Sequence, residues 1–186
     1  MRIRLFNMFL VIVVAMIAIS SCKQTTDQEL RDQEATLLAK YIAKYHPTVT
    51  PKSSGLYFIE TKAAPAGADT IKIGDLVKVY YKGYLITDDA AEGIKDGYEF
   101  DASGEFEPFS FTVGAGAVIS GWDEAMTYMK DGSEAKLVIP SKLAYSSQQQ
   151  STIPQYSTLV FYIKIYKVYR STDEWPTIEM HPKGSN

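Results

Sequence analysis

Val118-Ile119-Ser120-Gly121-Trp122-Asp123-Glu124-Ala125-Met126 decides how this chain folds. An apolar pair leads into a Ser-Gly break, and a tryptophan then opens a short helix. Gly121 marks the start of that helix. Lys130-Asp131-Gly132 marks its stop, a cation in the last turn followed by a glycine. From Gly55 to Tyr169 the sequence outside it alternates like strand. One helix among strands buries its apolar side only by packing across a sheet. Trp122, one of two tryptophans in the chain, then lies between helix and sheet.

The strands read outward from there. Leu56 to Thr61 is one. Ile73-Gly74-Asp75 turns into a second, in which Val77, Val79, Tyr81, Gly83 and Leu85 share a face opposite Lys78, Tyr80, Lys82 and Tyr84. The first of these faces is expected to be buried. Tyr98-Glu99-Phe100-Asp101 is a third strand, and Phe109, Phe111 and Val113 mark a fourth. After the helix, Ala135, Leu137 and Ile139 alternate up to Pro140. Ser141 to Ile153 is a polar loop carrying Tyr145. In the last and longest strand Leu159, Phe161, Ile163 and Ile165 oppose Tyr162, Lys164 and Tyr166. This order predicts an α+β fold, an antiparallel sheet wrapped over a single helix.

An extra helix precedes the sheet. Leu30, Leu37, Leu38, Tyr41, Ile42 and Tyr45 recur at three- and four-residue steps, with Thr26 or Asp27 as cap and His46-Pro47 as the end. The stripe over Glu29–Tyr45 packs on its own domain or pairs two copies into a dimer. Ahead of it, Arg2 and Arg4 precede the apolar run Met8–Ile19, which suits a signal peptide and is too short to span a bilayer. Ile19-Ser20-Ser21-Cys22 resembles a bacterial lipobox, and Cys22 is the only cysteine. A solitary thiol forms no internal disulfide, so acylation accounts for it. The expected organisation is a lipoprotein signal peptide (1–21), a lipidated Cys22 with tether and amphipathic helix (22–52), the main domain (53–170) and a polar tail (171–186). The expected address is the bacterial cell envelope, lipid-anchored at the outer membrane and facing the periplasm. Without residues 1–21 the chain loses Arg2 and Arg4 and no acid, so 17 basic side chains face 22 acidic ones, a net −5. Such a balance argues against nucleic acid as a partner.

Conventional catalytic sets are scarce. The two histidines, His46 and His181, fall in a linker and the tail, so neither a metal site nor a Ser-His-Asp set is expected. Gly114-Ala115-Gly116 lacks the rest of a phosphate-binding fingerprint. Asp123 and Glu124 suit the dipole at a helix start better than acid/base work. What remains is Tyr81, Phe100, Asp101, Phe109, Trp122, Tyr145 and Phe161. They are ordinary core or the lining of a pocket. Tyr81 and Phe161 lie on the buried faces of their strands, and a buried Tyr or Trp needs a partner for its O–H or N–H. In a pocket, a ligand can supply one.

In these residues the chain resembles the FKBP-type peptidyl-prolyl isomerases. The matching pieces are Val79-Tyr80-Tyr81-Lys82-Gly83, Phe100-Asp101-Ala102-Ser103, Pro108-Phe109-Ser110-Phe111, Val118-Ile119-Ser120-Gly121-Trp122, Ala135–Pro140, Ala144-Tyr145, Ile153-Pro154 and Thr158–Phe161. The resemblance implies a curved antiparallel sheet around one helix. It implies that Trp122 is the floor under a substrate proline ring, walled by Tyr81, Phe100, Phe109, Val118, Ile119 and Phe161. It makes the Ile119 N–H and the Tyr145 hydroxyl donors to peptide carbonyls, and sets Asp101 at the pocket edge beside the twisting amide. The implied function is isomerisation of X-Pro bonds in exported polypeptides; a non-catalytic module that binds proline-containing segments is the alternative. Isomerisation makes and breaks no bond, so neither metal nor cofactor is called for. The chain departs from the family at Ser146, where glycine is usual, at Gln148-Gln149-Gln150, at Gln155, and in a longer Thr87–Lys95 excursion.

Overall fold

The computed structural model describes residues 25–87 and 97–171. The expected signal peptide, Cys22, the excursion after Thr87 and the tail after Ser171 lie outside the described residues. The elements are α1 (Asp27–Tyr45), β1 (Tyr57–Lys62), β2 (Leu76–Leu85), β3 (Tyr98–Ala102), β4 (Phe109–Thr112), α2 (Ser120–Met126), β5 (Glu134–Ile139), a 3-10 turn (Ser141–Leu143) and β6 (Leu159–Tyr169). The strands form one six-stranded antiparallel sheet in the order β1-β5-β6-β2-β3, with β4 also on β2. The α+β fold expected from the sequence is the one found.

Strand β2 organises the sheet. One edge pairs with β6 along its whole length, from Leu76 opposite Tyr169 to Leu85 opposite Leu159. The other edge is divided: β4 takes Leu76–Val79 and β3 takes Lys82–Leu85. Tyr81 falls in the break. Its N–H donates to Ser103 Oγ at 3.1 Å, and its carbonyl accepts from the Ser103 N–H at 3.1 Å. A backbone left out of both ladders is thereby satisfied.

The inner face of the sheet packs on α2. Val77, Val79, Leu137, Ile139, Leu159 and Ile165 are fully buried against Trp122, Ala125 and Met126. The buried residues of α2 recur one turn apart, as a one-sided stripe requires. Gly121 is needed for contact rather than to start the helix: a Cβ there would lie 2.6 Å from Ile139 Cγ2. The helix also stops earlier than Lys130. The Tyr128 and Met129 amides bond back only three residues, to Ala125 and Met126, which tightens the chain and turns Met129 into the core. Lys130 instead bridges to Thr70, and Gly132, with φ of +79°, turns the chain toward β5.

Helix α1 covers the outer face. Thr26 is its N-cap, in a reciprocal capping box with Glu29. Tyr41 is buried with Ile86, Val138 and Val160, and Leu37, Leu38, Ile42 and Tyr45 pack around them. Lys136, 2% exposed, lies between the rings of Tyr41 and Tyr162, at 5.3 and 5.0 Å from their centroids. Aromatic faces attract a cation, more strongly when it is desolvated. The stripe read from the sequence therefore packs on its own domain.

Where β2 begins and β6 ends, Arg170 Nη1 reaches the buried Asp75 at 2.7 Å. Burial pushes the Asp75 carboxyl up. Donation from the Lys72 N–H, Arg170 and the Ser171 N–H outweighs this and holds it below the ordinary carboxylate range.

Candidate active site

Trp122 stands at the N-terminal end of α2, 4% exposed, and four aromatic rings surround it. Tyr81 from β2 and Phe161 from β6 meet it edge-on, each with ring centroids 5.1 Å away. Phe111 lies 5.7 Å and Phe109 6.2 Å away on β4. Phe100 from β3 is half-buried and packs on Phe161 at 5.6 Å. Edge-to-face contacts at these separations add to the burial of each ring. Four strands and one helix thus place an aromatic basin on the inner face.

Two residues of the basin were not singled out by sequence. Phe111 is buried and packs its ring against Trp122. Gly83 makes room for the wall: a Cβ on it would lie 2.7 Å from Phe161 and 2.8 Å from Phe100. A glycine inside a strand pattern is the signal for such close approach.

The rim is polar. The Tyr81 hydroxyl donates to Asp101 Oδ2 at 2.7 Å, so the aromatic wall holds the exposed carboxylate in place. Burial pushes the Tyr81 phenol far up, and the hydrogen bond and charge of Asp101 push it further. Tyr145 is half-buried at the edge of the same cluster, and its phenol is raised by burial and then by the Asp101 charge. Tyr81, Asp101 and Tyr145 therefore form one electrostatic group with both phenols protonated. The Tyr145 hydroxyl has no hydrogen-bond partner among the described residues.

Val118 and Ile119 close the rim on the helix side, both half-buried against the core. Ile119 is the N-cap of α2, with φ −59° and ψ 146°. Its carbonyl accepts from the Trp122 N–H at 2.9 Å and from the Asp123 N–H at 3.3 Å. Its own N–H is left over among the described residues. The structure thus brings together Tyr81, Phe100, Asp101, Phe109, Val118, Ile119, Trp122, Tyr145 and Phe161.

Asp123 does more than face a helix dipole. Its two oxygens accept from the Gly114 N–H at 2.8 Å and the Gly116 N–H at 3.2 Å. It ties the Gly-Ala-Gly loop to α2 and so fixes the approach to Val118. Glu124 accepts from Ser54 Oγ at 2.8 Å and from the Tyr128 hydroxyl at 3.0 Å. Both carboxylates are structural. Among the described residues no cluster of three His, Cys, Asp or Glu side chains is placed to hold a metal ion.

The chain is similar to known proteins across this region. The family model for FKBP-type peptidyl-prolyl cis-trans isomerase matches residues 67–166. An FK506-binding protein of Neisseria meningitidis serogroup C is 36% identical over 117 residues, covering 62% of this chain and 98% of that protein. FK506-binding protein 4 of Gibberella zeae is 41% identical over 99 residues, which are 53% of this chain but only 18% of that longer protein. Among solved structures, a peptidyl-prolyl cis-trans isomerase from Pseudomonas syringae superposes with a TM-score of 0.63 at 28% identity, covering 80% of this chain and 99% of that one. FkpA from Escherichia coli gives a TM-score of 0.63 at 30% identity, covering 89% and 72%. The chain belongs to the family of FKBP-type peptidyl-prolyl cis-trans isomerases.

Proposed function

We propose that this isomerase domain rotates X-Pro bonds of exported polypeptides by desolvation and hydrogen bonding of the twisted amide, with no covalent intermediate. One observation carries the reading: an aromatic basin around Trp122 whose rim holds two unspent donors, the Ile119 N–H and the Tyr145 hydroxyl. Rotation about a peptide bond faces a barrier of roughly 18–20 kcal/mol, largely lost resonance. At X-Pro the two isomers lie within about 1 kcal/mol of each other, so exchange is slow but balanced. The proline ring rests on Trp122 between Tyr81, Phe100, Phe109 and Phe161. Burial strips water from the amide, which disfavours the charge-separated planar form relative to the twisted one. Ile119 and Tyr145 donate to peptide carbonyls, and Asp101 stands beside the rotating bond, fixed by Tyr81. Donors matched to the twisted geometry lower the barrier selectively.

The test is a protease-coupled isomerisation assay on a short X-Pro peptide with the whole chain. Acceleration that is lost in Asp101→Ala and Tyr145→Phe supports the reading. Binding of the peptide without acceleration would establish the non-catalytic module instead.

The address is a second part of the proposal. The apolar run Met8–Ile19 followed by Ser20-Ser21-Cys22 supports lipid anchoring at Cys22 in the cell envelope, with the domain in the periplasm. A buried acyl chain contributes roughly 0.8 kcal/mol per CH₂, so several chains hold a protein to a bilayer. No helix among the described residues is long and apolar enough to cross a membrane. Acyl labelling that disappears in Cys22→Ala supports this address; labelling that persists would overturn it. The packing of Tyr41 and its neighbours on their own sheet favours a single copy over a dimer through Glu29–Tyr45.

A further inference from the structure

Glu34 interrupts the apolar stripe of α1. It lies one turn after Leu30 and one turn before Leu37 and Leu38, on the side turned to the domain. A carboxylate at such a place requires partners, and it has three. Its Oε1 accepts from the Ser141 N–H at 2.6 Å and from the Thr158 hydroxyl at 2.9 Å. Its Oε2 accepts from the Ser141 hydroxyl at 2.6 Å. Ser141 and Thr158 are both buried, and they are the two ends of the loop that carries Tyr145.

Ser141 passes this fixation on. Its carbonyl accepts from the Ala144 N–H at 2.8 Å and the Ser146 N–H at 2.9 Å, the two residues flanking Tyr145. The Ser146 carbonyl accepts from the Tyr156 N–H at 2.7 Å, and Arg31 of α1 lies over the Tyr156 ring at 5.1 Å. Ser146 and Tyr156 both have left-handed backbones, with φ of 53° and 54°. For residues other than glycine that conformation persists only where the surroundings over-determine it. The loop is also held from the basin side, where Ser120 Oγ donates to the Leu143 carbonyl at 3.2 Å. Tyr145 is thus suspended between a helix on each face of the sheet.

We propose that Glu34 is a positioning residue of the isomerase: from α1 it fixes both ends of the Ser141–Thr158 loop and so sets where the Tyr145 hydroxyl points. This rests on Tyr145 being the donor described above. A displacement of about 1 Å in such a group costs up to about 100-fold in rate.

The experiment is a double-mutant cycle on kcat/KM for an X-Pro peptide, with the whole chain as wild type, Glu34→Ala, Tyr145→Phe and both together. Glu34→Ala is expected to lower kcat/KM about tenfold, mainly in kcat, and to cause little further loss in the Tyr145→Phe background, because coupled residues are non-additive. Glu34→Gln, which keeps one acceptor oxygen, is expected to recover part of the loss. Losses that multiply in the double variant, or full activity in Glu34→Ala, would overturn the role of Glu34 alone. An unchanged Tyr145→Phe enzyme would overturn the donor reading itself. If Glu34→Ala does not fold, Thr158→Val removes a single hydrogen bond of the same clamp and enters the same cycle with the same expectations.

Discussion

The two faces of the sheet are covered in opposite ways. On the inner face a helix of seven residues, α2, is too short to cover the sheet, and the aromatic basin opens beside its first turn. On the outer face a helix of nineteen residues, α1, covers Val138 and Val160 and grips the 141–158 loop. In the proposed function the short helix leaves room for a substrate; the long one packs on the sheet and holds a loop from behind. Under the proposed function one sheet separates chemistry from support, since side chains at successive strand positions point to opposite faces. Tyr81 and Phe161 face the basin, while Tyr84 and Tyr162 pack under α1.

Removing the central ring of each face tests that division. Trp122→Ala is expected to lower kcat/KM by about 100-fold in the peptide assay and to cost about 3–5 kcal/mol in urea unfolding, since a large buried ring is deleted. Tyr41→Ala is expected to cost about 3 kcal/mol of stability by the same cavity argument. Its folded form keeps kcat/KM within about tenfold of wild type, the limit set by losing the α1 clamp. Equal damage to turnover from both variants would erase the distinction between the faces.

Smaller changes sharpen it. Gly83→Ala inserts a Cβ against Phe100 and Phe161 and is expected to cost about 1–3 kcal/mol of overpacking, with a raised KM measured on the same peptide. Asp75 tests the frame instead of the basin. Its carboxyl is held below the ordinary range in the folded protein, so its contribution to stability is present above about pH 4 and is lost as pH falls through the folded value. Urea midpoints should therefore fall in acid for wild type and fall less for Asp75→Asn. The smallest expected effect is on the alkaline side of the turnover profile. Tyr81 and Tyr145 are both raised above the ordinary phenol value near 10, so kcat/KM should stay level from about pH 7 to 9.

Much of this arrangement is legible in the sequence because its signals are periodic. Alternation at Val77, Val79, Tyr81, Gly83 and Leu85 places Tyr81 on the buried face. Trp122 after Ser120-Gly121 marks the helix that crosses the sheet. The parts that escape are contacts between residues far apart in the chain. Glu34 meets Ser141 and Thr158 more than 100 residues away, and only its place on an apolar stripe hints at a buried partner. Asp123 looks like a dipole residue until the Gly114 and Gly116 amides are seen to point at it. The helix stop at Lys130 fails because the chain tightens after Met126 and turns Met129 into the core. Gly83 reads as one more position on a buried face; a glycine inside a strand hints at close approach, and the rings packed over it show what approaches.

The most direct test is exchange spectroscopy by NMR on an X-Pro peptide mixed with a sub-stoichiometric amount of the whole chain, compared with Trp122→Leu. The basin account predicts fast cis-trans exchange with wild type and exchange close to the uncatalysed rate with the variant, both proteins remaining folded. Equal exchange rates in the two, or peptide binding to wild type with no gain in exchange, would contradict it.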